Sequence, residues 1–248
     1  LLYLGVSGDG DSASIGLGQF AHAMRRGVRM AYIVENNGVY GLTKGQFSAT
    51  ADQGSKSKRG VVNNDAAVDL VGMALQLGAT YVARSFSGDK EQLVPLIKGA
   101  MSHGGAAFID VISPCVTFNN HGGSTKSYDY VRQHNEAVSR IDFISPGSEI
   151  TTSYAPGERV EVAQHDGSIL RLRKLHAAYD PTDRHAALDH MHRHAAQGEV
   201  VTGLLYIDPL ATDLHCAMNT AAAPLASLGL ETLCPGGKTL DKINAALR

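Results

Sequence analysis

Gly8-Asp9-Gly10 follows directly on the apolar run Leu1-Leu2-Tyr3-Leu4-Gly5-Val6, and Asn36-Asn37 closes a second apolar run after 25 intervening residues, Asp11 to Glu35. Between them, Ile15 to Arg26 reads as a helix with Ile15, Phe20, Ala23 and Met24 as its apolar set. Gly27 stops it, and Val28 to Val34 reads as a strand. Strand, tight glycine turn, helix and strand make a βαβ unit, in which both motifs stand at the carboxyl ends of neighbouring parallel strands. Ligands of open α/β sheets bind outside those ends. Asp9 and Asn37 should therefore face each other across one crevice.

The residue types in that crevice suggest a chemistry. Gly8 and Gly10 let backbone N–H groups approach a diphosphate at a helix N-terminus, where the partial positive charge favours anions. Asp9 would repel the same diphosphate unless a cation lay between them. Magnesium suits this place, since it takes a few protein oxygens and completes its octahedron with phosphate and water. Asp9 would supply one oxygen, an asparagine amide a second and a carbonyl of the next turn a third. GDG and NNG also occur in ordinary turns. A dinucleotide fold is disfavoured, because Gly5, Gly8 and Gly10 reverse the GxGxxG spacing; a P-loop fails because Lys44 is followed by Gly45.

The rest of the chain continues the alternation. Asp65 is placed to cap a helix over Ala66 to Leu77, ended by Gly78. Tyr81 to Arg84 reads as a strand, Asp89 to Ser102 as a helix bearing Leu93, Leu96, Ile97 and Met101, and Ala106 to Ile112 as an apolar strand. Buried, non-alternating strands between helices predict an α/β fold with a doubly wound, mostly parallel sheet. Beyond Asn120, Tyr128 to Arg140 looks helical, Glu158 to Lys174 forms a β-hairpin around Asp166-Gly167, a helix runs from Thr182-Asp183 to Gln197, Val200 to Ile207 is a strand, and Leu240 to Leu247 is a terminal helix. The expected division is a ligand-binding domain over 1–118 and a C-terminal extension over 119–248 that packs against the sheet.

GDG, the intervening segment and NN together resemble the thiamine diphosphate motif. The continuation Asn37-Gly38-Val39-Tyr40-Gly41-Leu42-Thr43-Lys44-Gly45-Gln46, the doubled Gly8-Asp9-Gly10-Asp11 and Ser113-Pro114-Cys115-Val116-Thr117-Phe118-Asn119 are similar to the β subunit of 2-oxoacid:ferredoxin oxidoreductases. Asp208-Pro209 and Leu233-Cys234-Pro235-Gly236 extend the likeness toward the end of the chain. The resemblance implies that 1–118 is the thiamine diphosphate-binding domain, with Mg²⁺ ligands Asp9, Asn37 and the Val39 carbonyl, and with Gly8, Gly10 and Asp11 around the diphosphate. It implies Cys115 as one ligand of a [4Fe-4S] cluster whose other ligands lie in a preceding stretch. Leu1 is not Met and opens on a strand expected to be buried, so the chain is expected to be a piece lacking that stretch. One cysteine cannot hold four irons, so the cluster is expected only in the full-length protein. The implied activity is oxidative decarboxylation of a 2-oxoacid, such as 2-oxoglutarate or pyruvate, to acyl-coenzyme A, with electrons passing to ferredoxin. The implied partner is an α subunit, in a heterodimer or heterotetramer, that supplies the activating glutamate. Lys44 is the candidate for contact with substrate or coenzyme A. A non-redox thiamine diphosphate decarboxylase or synthase, and a non-catalytic assembly remnant, are the alternatives.

Charge and composition narrow the partners. A net charge of -2 gives no push toward nucleic acid or anionic membrane. No apolar run reaches membrane-spanning length and no secretory signal is visible, so a cytoplasmic location is expected. Three cysteines without paired spacing do not suggest a disulfide framework. Ser48 to Asn63 reads as a solvated, mobile loop, whose Lys56, Lys58 and Arg59 would suit the phosphates of coenzyme A. The histidines of the 182–197 helix, His185, His190, His192 and His194, read as a solvated surface, since no HExxH order accompanies them.

Overall fold

The structure, a computed structural model, describes residues 2–43, 45–56, 60–113, 150–163, 169–234 and 236–247. In chain order the elements are β1 (Tyr3–Gly8), a π-helical turn (Asp11–Ile15), α1 (Leu17–Arg25), β2 (Met30–Asn36), β3 (Val39–Tyr40), β4 (Gln46–Phe47), α2 (Leu70–Gln76), β5 (Tyr81–Phe86), α3 (Lys90–Ser102), β6 (Ala106–Ile112), β7 (Arg159–Ala163), β8 (Ile169–Lys174), α4 (Arg184–Ala195) and β9 (Val200–Ile207). The main sheet has seven strands in the order β1-β2-β6-β5-β9-β8-β7. β1, β2, β6 and β5 are mutually parallel; β9 runs antiparallel to β5, β8 parallel to β9, and β7 antiparallel to β8.

Apolar residues on both faces of the strands demand cover on both faces. On one, Val34, Val82 and Phe108 pack with Phe20 and Met24 of α1, Leu70, Val71, Ala74 and Leu75 of α2, and Ala187 and Met191 of α4. On the other, Ala31, Ile33, Ala83, Ala107 and Ile109 pack with Leu96 and Ala100 of α3. The sheet is doubly wound, as expected. Because α1 and α2 cover one face and α3 the other, the chain reverses its winding at β5, and the carboxyl ends of the parallel strands frame the place where ligands of such sheets bind.

Element boundaries differ from the sequence reading for local reasons. The first helix begins at Leu17, not Ile15, because the Gly16 N–H bonds the Asp11 carbonyl in a π turn. A Cβ on Gly16 would stand 2.7 Å from that carbonyl oxygen, so glycine is needed there. The wider turn carries Ile15 out of the apolar set, and it is 77% exposed. At the other end Gly27, at φ +66°, closes the helix while the Val28 N–H bonds Ala23, so β2 starts later, at Met30. Helix α2 is capped by Asp69 rather than Asp65, because the Val68 N–H is drawn to the Ala49 carbonyl at 2.7 Å. Asp89 and Asp183 cap α3 and α4. β1 is an edge strand with Tyr3, Leu4 and Val6 about half exposed, not the buried strand its composition suggested.

The C-terminal region enters the sheet itself instead of only packing on it. β9 is apolar on both sides and completes the hydrogen bonding of β5, and the compact unit that contains it runs from Leu1 to Leu214. The 118/119 boundary and the Tyr128–Arg140 segment lie outside the described residues. A second unit, His215–Arg248, carries the short helices Leu230–Leu233 and Gly237–Ala246. No helix among the described residues is long and apolar enough to cross a membrane.

At the start of β9 the buried Glu199 carboxylate ties three elements together. It accepts from Arg173 Nε and Nη2 of β8, both at 3.0 Å, and lies 2.7 Å from His194 Nδ1 of α4. His190 stacks between Tyr179 and His194, at centroid distances of 5.3 and 4.5 Å. One side of the histidine-rich helix is thus turned inward, not solvated. The Arg173 guanidinium, helped by His194, holds the Glu199 carboxyl down at about 2, against an ordinary 4.5. A depressed carboxylate stabilises the fold fully above its unfolded value and loses that contribution as pH falls toward its folded one. Glu199→Gln should therefore cost about 3 kcal/mol at pH 7, and its gap to the parent protein should narrow between pH 4.5 and pH 2. Urea unfolding at pH 7 and at acid pH checks this; a gap that does not change refutes it.

Candidate functional site

Asp9 lies just past the end of β1 and is 1% exposed. The βαβ unit brings it to the end of β2, where the Asn37 backbone N–H, 28 residues on, donates to Asp9 Oδ1 at 3.2 Å. The two motifs meet in one place. Asn37 Oδ1 accepts the Val39 N–H at 3.0 Å, which curls the chain over the strand end, and Gly38 takes the φ of +74° that this turn needs. Val39 then pairs with Phe47 in the small β3-β4 ribbon.

That ribbon leads into residues the sequence reading had placed in a solvated loop. Ser48 Oγ and Thr50 Oγ1 both donate to Asp9 Oδ2. Backbone bonds fix the segment, with Ser48 N–H on the Gly38 carbonyl at 3.1 Å and Ala49 N–H on Ser14 Oγ at 3.3 Å. Farther along, the buried Asn63 amide donates to the carbonyls of Ala51, Asp52 and Asp65 at 2.9, 3.1 and 3.3 Å. The loop's two ends are anchored and partly buried, so composition misjudged them. Polar residues are cheap in solvent, but here they satisfy a buried carboxylate and the loop's own backbone.

Among the described residues every partner of the Asp9 carboxylate is neutral: one amide and two hydroxyls. A carboxylate buried among neutral donors keeps its negative charge uncancelled, and a cation beside it would be favoured. The described residues contain no group of three or more His, Cys, Asp or Glu that could hold a metal. A cation here would draw on one carboxylate, an amide, a carbonyl and its own ligand's oxygens, a hard oxygen set that fits Mg²⁺ bound to phosphate. Gly8 has no atom within 4 Å of where a Cβ would sit, so its backbone can be approached closely. Gly10 differs: a Cβ there would overlap the Tyr40 ring, whose hydroxyl donates to the Gly10 carbonyl at 3.1 Å. Its smallness serves the packing of the turn. Asp11 is exposed, and its carbonyl closes the π turn. Lys44, Lys58, Arg59 and Cys115 lie outside the described residues.

A second set of residues went unnoticed in the sequence because no local pattern marks it. Arg84 of β5 donates from Nε to Asp110 Oδ2 at 2.7 Å and from Nη2 to Asp69 Oδ1 at 2.8 Å, while Asn36 Nδ2 donates to Asp110 Oδ1 at 3.0 Å. Burial raises the Asp110 carboxyl above the usual carboxylate range, against the opposing pull of Arg84 and Asn36. Asn36, Asn37, Val39, Thr50 and Arg84 line a cavity of about 830 Å³, whose far wall includes Met191 of α4 and Val200 of β9. That is room for a ligand of cofactor size.

Residues 3–111 match the family model described as thiamine pyrophosphate enzyme, C-terminal TPP binding domain. The chain is 46% identical over 116 residues to a 2-oxoacid:ferredoxin oxidoreductase subunit beta of Saccharolobus solfataricus, which covers 46% of this chain and 37% of the relative. It is 34% identical over 146 residues to the 2-oxoglutarate oxidoreductase subunit KorB of Mycobacterium tuberculosis, covering 58% of this chain and 38% of the relative. Each alignment thus spans well under half of the relative's length. Among solved structures, a 2-oxoglutarate:ferredoxin oxidoreductase from Magnetococcus marinus, with 2-oxoglutarate, coenzyme A and succinyl-CoA bound, superposes with a TM-score of 0.60 at 27% identity. That superposition covers 89% of this chain and 65% of the other.

The packing of Gly10 is open to direct test. Gly10→Ala should destabilise the protein by about 1–3 kcal/mol through overpacking, and Tyr40→Leu in the same chain should recover most of the loss. Thermal unfolding of the single and double variants checks this; an unshifted midpoint for Gly10→Ala would show that the turn yields without cost.

Proposed function

We propose that the chain, whose residues 3–111 match a thiamine pyrophosphate-binding domain and which is similar to 2-oxoacid:ferredoxin oxidoreductase β subunits, binds thiamine diphosphate and Mg²⁺ for oxidative decarboxylation of a 2-oxoacid. The observation that carries the reading is the buried Asp9 carboxylate, met by the Asn37 turn and by neutral donors alone. Asp9, the Asn37 side chain and the Val39 carbonyl hold the magnesium. Gly8, Gly10 and Asp11 flank the diphosphate. When bound, the thiazolium ring supplies the carbon nucleophile for the 2-oxo group and the electron sink for loss of CO₂. The work of this chain is to anchor and orient, with the cavity at the strand ends holding the reacting groups apart from bulk water.

The acyl group passes to coenzyme A and the electrons to ferredoxin, in a cytoplasmic complex with an α subunit that supplies the activating glutamate. Cys115 serves as one ligand of a [4Fe-4S] cluster in the full-length protein, and Lys44 faces substrate or coenzyme A. 2-Oxoglutarate is the first substrate to try, because the Mycobacterium tuberculosis relative is named for it and the Magnetococcus marinus structure holds it.

In the assembled complex, Asp9→Ala should abolish Mg²⁺-dependent thiamine diphosphate binding while the protein still folds, with a lowered unfolding midpoint because the Asn37, Ser48 and Thr50 donors lose their acceptor. Calorimetry showing an unchanged affinity would sink the assignment. Cys115→Ser should lose ferredoxin reduction and the cluster's visible absorption yet keep thiamine diphosphate bound, and an unchanged iron content would defeat that role.

A further inference from the structure

The hydrogen bonds around Asp9 continue into the sheet. Asp110 of β6 is fully buried, and its two oxygens face the donors Asn36 Nδ2 and Arg84 Nε. Arg84 is always charged, so this is the pattern of an ionised carboxylate against a guanidinium. It fixes the Asn36 amide, because turning that amide over would set its oxygen against the Asp110 carboxylate. With the NH₂ group committed to Asp110, the amide oxygen faces Thr50 Oγ1 at 3.0 Å.

Thr50 Oγ1 carries one proton, shared in a three-centre bond between the two acceptors that flank it, Asn36 Oδ1 and Asp9 Oδ2, and Ser48 Oγ lies 3.0 Å from the same oxygen. The Thr50 backbone N–H is itself 3.3 Å from Ser48 Oγ, which couples the two hydroxyls. Together they occupy Asp9 Oδ2. Among the described residues Asp9 Oδ1 receives the Asn37 N–H alone, which leaves it a lone pair for a further partner. The row from Arg84 through Asp110, Asn36 and Thr50 thus ends on the rotation of one carboxylate.

We infer that Thr50 and Asp110 are positioning residues for the cation site: Asp110, held against Arg84, orients the Asn36 amide, the amide seats Thr50, and Thr50 with Ser48 turns Asp9 Oδ1 toward the metal. The inference rests on the reading of Asp9 as a magnesium ligand. Neither Thr50 nor Asp110 is assigned a bond to the ion, so their effect should fall on metal affinity rather than on the presence of the site. Partners of metal ligands elsewhere are worth about 10- to 100-fold in affinity.

The test is a calorimetric titration of thiamine diphosphate at a series of Mg²⁺ concentrations, with the full chain in its assembled complex. Thr50→Val and Asp110→Asn should each raise the half-saturating Mg²⁺ concentration by about 10-fold or more, whereas Thr50→Ser, which keeps the hydroxyl, should stay within about two-fold of the parent. The double variant Thr50→Val/Asp110→Asn should be no worse than the more damaged single variant, because members of one row do not act additively. Asp9→Ala separates the two levels. If it abolishes Mg²⁺-dependent binding while Thr50→Val and Asp110→Asn leave the half-saturation unchanged, the positioning row is refuted and the cofactor reading stands. If Asp9→Ala itself changes nothing, both fall. Effects that add in the double variant also refute the row. Should Asp110→Asn fail to fold, the pair Thr50→Val and Thr50→Ser decides alone: equal losses in both, or none in either, overturn it.

Discussion

A carboxylate buried without a counter-charge organises this molecule. Moving an ionised group out of water costs several kcal/mol unless donors replace the water. The protein meets that cost at Asp9 with groups from two distant segments, the Asn37 turn and the Ser48–Thr50 strand exit. Each must close for the site to exist, so the Asn37 turn and the β3-β4 ribbon that delivers Ser48 and Thr50 serve Asp9 as much as they are elements in their own right. The donors are neutral, so the negative charge is solvated without being cancelled.

The sheet gives this carboxylate its setting. The carboxyl ends of the parallel strands β1, β2, β6 and β5 frame a crevice, and polar side chains at those ends line its floor. Asn36 of β2, Asp110 of β6 and Arg84 of β5 sit side by side because parallel registry places Asp110 opposite both Val34 and Arg84. A salt bridge inside such a floor adds little net stability, since desolvation offsets the Coulombic gain. Its worth lies in direction: a guanidinium and an amide each bond in fixed planes, and a row of them transmits orientation from one strand to the next.

The far wall of the cavity comes from a part of the chain that the motifs say nothing about. β9 joins β5 as an antiparallel neighbour, and α4 covers the same face as α1 and α2, which puts Met191 and Val200 across from Asn37 and Val39. The Glu199 cluster locks that wall by tying β8, α4 and β9. A space bounded by both regions can be shaped by changes in either, without touching Asp9 or Asn37.

What the sequence by itself determined was the βαβ unit, the doubly wound sheet, the meeting of Asp9 with Asn37 and the helices that open at Asp89 and Asp183. All of these follow from short-range signals: a period of apolar residues, a glycine stop, a carboxylate one residue before a helix. Tertiary structure alone decided the rest. It turned Ile15 out through a π turn, moved a helix cap from Asp65 to Asp69 by drawing Val68 to Ala49, and brought Ser48 and Thr50 out of an apparently solvated loop onto a buried carboxylate. It also aligned Arg84, Asp110 and Asn36, which are scattered along the chain and become neighbours only when strand order and registry are set. The physical reason is common to all of them. A polar side chain has no local preference that reveals its partner, and the cost of leaving a buried charge unsatisfied exists only once the fold has buried it.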